Sequence, residues 1–327
     1  MDALAMTLVR SATLAPSGHN TQPWRFSADD DAIRIYPDFT RRLPVVDPDD
    51  HALYISLGCA AENLVIAAAH HGLAANVEAF PADEPAECIR VRLAPGPSSN
   101  AGALFAAIPE RQSNRRSYDR KPIPAADIDQ LLAANTSGTV SLRAFDPTRP
   151  DCEPIIRFVK EGNVAQFKDP AFVNELVSWI RFSPAEVRAR QDGLTASALG
   201  FPSVPRWLGQ WIMTTLVKPH SEASKQAQAI GSSALLLLFV AQRNDKRHWV
   251  DVGRSFERVA LTATALGVAH AHVNMPCEVE PIRRRLALHL GLAPDAQPLL
   301  LIRLVYAKPL PHAPRRPVEQ VMRGAAH

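Results

Sequence analysis

Apolar positions along this chain gather into helix-length and strand-length groups separated by short polar breaks. Residues 3–14 predict a helix that stops at the turn-formers Pro16 and Gly18. The stretch "WRFSADDDAIRIYPD" (24–38) predicts two short strands around an acidic turn. A helix follows over about 51–71, with Gly72 placed as its C-cap. In "ECIRVRLAP" (87–95), Ile89, Val91 and Leu93 alternate on one face, the pattern of a half-buried strand. "PGPSSNAG" (95–102) predicts an exposed connector and a boundary between units of residues 1–100 and 101–327.

Much of this plan returns in the second unit. Helices are predicted over 125–134 and 151–167, separated by the strand "VSLRAF". Residues 168–222 read as an irregular, lid-like insertion carrying Trp179, Phe182, Phe201, Trp207 and Trp211. These aromatics would either cover a ligand or pack a satellite core. A strand at 233–241, a helix over 249–266, a strand near 268–273, a helix over 278–290 and the strand "PLLLIRLVYA" (298–307) complete the pattern. The mixture predicts an α+β fold.

One comparison within the chain sharpens that picture. In "LGCAAENLVIAAAHHGL" (57–73) and "VGRSFERVALTATALGV" (252–268), four positions coincide without a gap. Gly58, Glu62, Ala68 and Gly72 match Gly253, Glu257, Ala263 and Gly267, at an offset of 195 residues (253 − 58). Pro81 and Pro276 keep the same offset. The repeat implies two related units packed as an internal pseudo-dimer, whose small residues let two central helices approach closely.

Composition narrows the function classes. Apolar residues make up 46% and charged residues 21%, as in soluble globular proteins, and a net charge of +3 gives no electrostatic case for nucleic acid. The N-terminus does not read as a secretory signal, and the longest apolar run, "ALLLLFVA" (234–241), is too short to span a bilayer. No membrane role is therefore expected. Four scattered cysteines, Cys59, Cys88, Cys152 and Cys277, fit incidental thiols in a reducing cytoplasm.

Candidate chemistry sits in three polar stretches. "APSGHNTQPWRF" (15–26) crowds turn-formers, Ser17 and Asn20 ahead of a strand, a build that can present a nest of donors. "RQSNRRSYDRKPIP" (111–124) packs arginines with Ser113 and Ser117, a composition suited to phosphate, although a solvated linker has the same look. The tail "PHAPRRPVEQV" (311–321) adds Arg315 and Arg316. Metal readings are weak: His270 and His272 fit alternate strand positions, and "DPDDH" (47–51) fits a helix N-cap better than a metal site. Cys277 has no His partner in sequence and reads as a structural or incidental thiol rather than a nucleophile.

Together, "APS-x-N-x-QPW" and "R-x-S-x-R" resemble the flavin-dependent nitroreductase superfamily. Their reversed order resembles its Acg-like subgroup, in which two nitroreductase units are fused in one chain. The resemblance covers nearly the whole chain apart from 168–222. It implies a nitroreductase-like tandem pseudo-dimer with FMN between the units. The phosphate would lie on Arg111, Ser113 and Arg115, joined by Arg315 or Arg316. Pro16, Ser17, Gly18 and Asn20 would contact the flavin and its ribityl chain, while Gln22 would either join them or shape the loop. Trp24 is expected in the core. "NMPCE" (274–278) departs from the usual Gly-containing loop over the flavin, leaving Met275, Pro276 and Cys277 as candidates near N5.

Only one pairing of the two motifs is complete, so one FMN per chain and one degenerate site are expected. The implied activity is reduction of nitroaromatics, quinones or similar small molecules by NADPH or NADH, in a ping-pong scheme with no catalytic side chain. The rival readings are an FMN-sequestering protein with little turnover and a scaffold that has lost flavin. A monomer suffices for one complete site.

Overall fold

The computed structural model describes residues 3–96, 101–116, 120–200 and 202–323. Ser117 and Phe201, and part of the 95–102 connector, lie outside the described residues. Strands β1 (Trp24–Ala28), β2 (Ala32–Pro37), β3 (Leu73–Ala79) and β4 (Ile89–Pro95) form one antiparallel sheet in the order β1-β2-β4-β3. Helices α1 (Ala3–Thr13) and α2 (His51–His70) belong with it. After α3 (Gly102–Glu110) and α4 (Ala125–Ala133) comes β5 (Val140–Phe145). The segment from 146 to 234 holds α5 (Glu153–Lys168), α6 (Pro170–Trp179), β6 (Ile180–Arg181), α7 (Pro184–Arg190), β7 (Leu194–Thr195), α8 (Arg206–Trp211) and α9 (Pro219–Gly231). The chain then runs through β8 (Leu235–Ala241), α10 (Lys246–Ala265), β9 (Val268–His272), α11 (Met275–Glu278), α12 (Glu280–His289), β10 (Gln297–Tyr306) and α13 (Val318–Val321). The second four-stranded sheet is ordered β5-β8-β10-β9 and is antiparallel throughout.

The two sheets have one topology. β1, β2, α2, β3 and β4 correspond in order to β5, β8, α10, β9 and β10, and each strand holds the same place in its sheet. The α+β duplication expected from the repeat is thus present in the backbone. Gly72 and Gly267, one repeat apart, both take positive φ (75° and 71°) where helix turns into strand. What separates the units is the link between their first two strands. It is a three-residue turn after β1 but the long segment 146–234 after β5.

Burial explains the residue patterns. In β4, Ile89 and Val91 face the core, and Arg92 points to solvent; Arg90 is buried but paired with Glu87 and Asp83. In β8 the run "LLLLFVA" is buried on both faces, because Leu237 and Phe239 join the core between the sheets while Leu236 and Leu238 meet α5, α9 and α12. α2 is long and apolar enough, by composition, to cross a membrane, yet most of it is buried in this core. Trp24 is fully buried, as expected.

Residues 168–222 are more ordered than the sequence pattern implies. They carry α6 to α9 with a π-helical turn at Ile212–Leu216 between the last two. These helices are short, and Pro170, Pro184 and Pro219 open three of them, so no long period marks them in sequence. Trp179 and Phe182 pack a satellite core with Leu43 and Val46 of the first unit, whereas Trp207 and Trp211 are exposed.

The core's centre is the crossing of α2 and α10. A Cβ on Gly58 would lie 2.1 Å from the Val250 carbonyl oxygen, and one on Gly253 would lie 2.0 Å from that of Ile55. Val250 and Ile55 are themselves one repeat apart (250 − 55), so the contact is reciprocal, as at a two-fold axis. At the start of α2, Asp47 caps the helix by accepting the amides of Ala52 and Leu53, and Asp49 receives Arg283 of α12 at 3.1 Å. Between them His51 is buried, its Nδ1 3.0 Å from Asp47 and 2.5 Å from Asp49. Burial opposes charge on His51, but hydrogen bonds and fields from Asp47 and Asp49 prevail and push its pKa up to about 9.

Two outcomes test this account. Gly253→Ala is expected to cost about 3 kcal/mol, since backbone rather than a side-chain tip must yield; an unchanged urea midpoint would mean the helices part easily. A raised His51 pKa contributes stability that is complete below its unfolded value and is lost as pH rises from about 6.5 through 9. Thermal melts of His51→Gln should lose that decline and start from a lower plateau at pH 6.

Candidate functional site

Between α1 and β1 the chain makes a tight 3-10 turn at Gly18–Asn20. His19, Asn20 and Gln22 all adopt left-handed backbone conformations, with φ of 48°, 54° and 54°. Asn tolerates that region, whereas His and Gln hold it at a cost of roughly 1–2 kcal/mol each. Local bonds help close the loop. The amides of Asn20 and Thr21 donate to the carbonyls of Ser17 and Gly18 at 3.0 and 2.9 Å, and the Gln22 amide donates to Ser17 Oγ at 2.9 Å. Gln22 is wholly buried. Its Oε1 accepts from the Arg316 amide at 2.8 Å and its Nε2 donates to the Gln191 carbonyl at 2.9 Å. Both ends of its amide are engaged within the fold, which fits the loop-shaping alternative.

The segment 111–116 meets this loop from the other unit. It runs beside β9, where Ser113 forms a parallel bridge with His270 and the Asn114 amide donates to the His270 carbonyl at 2.8 Å. Arg111 is buried, donates to the Leu14 carbonyl at 3.2 Å, and has Nε 3.2 Å from Glu257 of α10. Arg315 comes from the tail and donates to the carbonyls of Leu14 and Ala15 at 3.2 and 3.3 Å. Two arginines distant in sequence therefore converge on the carbonyls that precede Pro16.

Arg115 stands apart from these pairs. Among the described residues it makes no hydrogen bond and no ion pair, yet water reaches it. The protein around it still removes enough water to push its guanidinium below the ordinary range. Arg115 is thus an exposed cation beside the loop. Burial and then the Arg115 charge lower His19 to about 4, and the same two causes, with Arg111, lower His272 to about 3. Both imidazoles are neutral at physiological pH. Burial pushes Glu257 up to about 7 against the pull of Arg111 and Arg315, and burial followed by Arg111 lowers Arg315 to about 9. Arg111 and Arg315 thus share one incompletely charged carboxylate, and Arg115 adds a further positive charge nearby. The balance is positive, and the chemistry it favours is anion binding.

Unpartnered buried atoms surround the same place. They include Asn20 Oδ1, Arg315 Nε and both ring nitrogens of His270. The Asn20 amide nitrogen is engaged, donating to the carbonyls of Gly193 and Pro314 at 3.0 and 3.2 Å. Pro16, Ser17 and Gly18 are half-buried. Arg316 does not join the cluster. It is buried with its guanidinium on the carbonyls of Gln22 and Gln320 and has Arg41, Asp38, Arg25 and Asp192 as charged neighbours. Met275 and Pro276 lie in α11, where Met275 packs closely on Gly162 of α5 and Pro276 is buried beside Cys277.

Sequence reasoning missed Glu257, His19 and His272 as neighbours of the arginines. In the repeat, Glu257 corresponds to Glu62. The two now differ. Glu62 is closed off by Arg254 and Arg258 of α10, at 3.0 and 2.6 Å. The residues of α2 at the corresponding positions are Cys59 and Asn63, which leave Glu257 to arginines from outside the helix pair.

No family model matches this chain. It is 28% identical over 325 residues to the Mycobacterium tuberculosis protein named "Putative NAD(P)H nitroreductase Rv3131", covering 97% of this chain and 90% of the relative. It is 24% identical over 327 residues to "Putative NAD(P)H nitroreductase acg" of the same organism, covering 96% and 93%. Among solved structures it overlaps the FMN- and NADPH-dependent nitroreductase NfnB of a Sphigopyxis strain, with a TM-score of 0.45 and 14% identity over 68% of this chain and 99% of the other. An FMN-bound nitroreductase of Bacteroides fragilis overlaps with a TM-score of 0.37 and 17% identity, over 63% of this chain and 88% of that one.

A guanidinium that its surroundings push below the ordinary range, with no ion pair among the described residues, costs the protein stability. Arg115→Ala should therefore melt a few degrees above wild type when no ligand is present. A lower melting temperature, read by circular dichroism, would make Arg115 a structural residue.

Proposed function

We propose that this chain, a relative of the Acg-like nitroreductases, binds one FMN between its two units and uses it as an NAD(P)H-dependent oxidoreductase. The observation that carries the reading is the gathering of Arg111, Arg115 and Arg315 beside the Pro16–Asn20 loop, with Arg115 unpaired among the described residues. Arg115 would take the phosphate most directly, since Arg111 already serves Glu257 and Leu14. The Ser113 hydroxyl, which makes no hydrogen bond among the described residues, is placed to accept or donate to the same group. The Asn20 Oδ1 is a free acceptor for a ribityl hydroxyl. His19 and His272 stay neutral, so they neither compete for the anion nor add to the positive charge.

When bound, FMN supplies the hydride and electron transfer, and the protein's share is placement and electrostatics. NADPH or NADH would be the donor, and a nitroaromatic, quinone or related small molecule the acceptor, each in turn. No side chain is needed as acid or base. The closure of Glu62 by Arg254 and Arg258 supports one FMN per chain, because it fills the place that repeat symmetry would assign to a second.

Purified protein incubated with FMN and freed of excess should retain one flavin per chain, visible in absorption, and bleach anaerobically with NADPH or NADH. Arg115→Ala should raise the FMN Kd roughly thirtyfold, about 2 kcal/mol for a charge-assisted contact. Flavin that resists both nucleotides but yields to dithionite would turn the reading to sequestration. An unchanged Kd in Arg115→Ala would remove the phosphate assignment.

A further inference from the structure

The inserted segment grips the very loop assigned to the flavin. At the turn 191–193, between α7 and β7, the Gly193 amide donates to the Asn20 carbonyl at 3.1 Å while Asn20 Nδ2 donates back to the Gly193 carbonyl at 3.0 Å. The Gln191 carbonyl receives Gln22 Nε2. Asp192, between them, is buried and accepts Arg181 through Nε at 2.9 Å and a terminal nitrogen at 2.6 Å. The same carboxylate pairs with Arg41, whose Nε donates to the Thr21 carbonyl. Arg41 and Arg181 both lie over the Trp179 ring, at 5.3 and 5.6 Å from its centroid. One carboxylate therefore ties the insertion to a loop that holds three residues in a left-handed conformation.

We infer that the 191–193 turn is a clamp, and that Asp192 is a positioning residue holding the Pro16–Gln22 loop in the shape its ligand needs. The left-handed conformations of His19 and Gln22 are costly, and local bonds alone account for only part of their retention. The remainder comes from Gln191, Asp192 and Gly193 on one side and from Pro314 and Arg316 on the other. Gly193 is fitted to this place. It has φ of 76°, and a Cβ there would lie 2.3 Å from the Trp179 carbonyl oxygen. The insertion cannot swing away as a free lid without releasing the loop. Retention of ligand and seating of the insertion are thereby coupled, a consequence that rests on the FMN reading.

Hydrogen exchange on the ligand-free, full-length protein reads the clamp with no flavin present. In Asp192→Asn and in Arg41→Ala, the amides of Asn20, Thr21 and Gln22 should exchange about tenfold faster or more, with α2 and α10 as protected as in wild type. Arg41→Ala leaves the Arg181–Asp192 pair intact and serves if Asp192→Asn fails to fold. FMN titration reads the consequence: Kd should rise about tenfold in both, and Arg41→Lys, which keeps the charge, should recover part of it. Unchanged exchange over residues 16–23 in Arg41→Ala overturns the clamp whether or not FMN binds. Faster exchange in the variants, with no FMN retained by wild type, upholds the clamp and overturns the flavin assignment instead.

Discussion

The close crossing of α2 and α10 is the constraint on which the remaining architecture depends. Each helix gives up a side chain, at Gly58 or Gly253, so that backbone meets backbone across a pseudo-two-fold axis. Hydrophobic residues of both sheets then enclose the pair in one continuous core. With the two units locked at that distance, a loop before β1 and a segment beside β9 face each other. Neither unit alone would bring Leu14 within reach of Arg111 and Arg315.

On this symmetric frame the chemistry is placed asymmetrically. Glu62 and Glu257 occupy equivalent turns of equivalent helices, and both are buried. Glu62 finds two arginines on the opposing helix and is neutralised there. Glu257 faces Cys59 and Asn63 instead, so its partners come from segments outside the repeat. The difference of two residues on α10 separates a filled, structural position from one with cationic capacity to spare. The long link between β5 and β8 adds a second asymmetry. It wraps back to the first unit through Leu43, Val46 and Asn20, while the tail returns to pair Met322 with Phe26 at the other side. Two segments far apart in sequence thus return to the first unit, and both also bond the Pro16–Gln22 loop.

Much of this was legible along the chain because it is local or periodic. The 195-residue offset, the two glycine helix ends and the alternation in β4 each follow from nearest-neighbour geometry, and all reappear in the fold. The Arg111–Arg115 cluster and the Pro16–Asn20 loop stood out as compositions suited to an anion. The insertion reads as irregular in sequence because helices of six to thirteen residues, several begun by proline, are too short to show a period. In sequence, Gln22 reads as either a ligand contact or a loop-shaping residue, and Arg316 as an alternative to Arg315. They prove to bind each other, a pairing across 294 residues that no local rule anticipates.

The sequence by itself therefore determined the duplicated plan, the helix and strand positions of each unit, and the residue types available for chemistry. Tertiary structure alone decided which arginine would be paired and which would have no partner among the described residues. Whether a guanidinium pairs or stays open depends on what arrives opposite it, and that is set by long-range packing. Arg254 meets Glu62 and is neutralised, whereas Arg115 faces the neutral His19 and His272 and has no ion pair among the described residues.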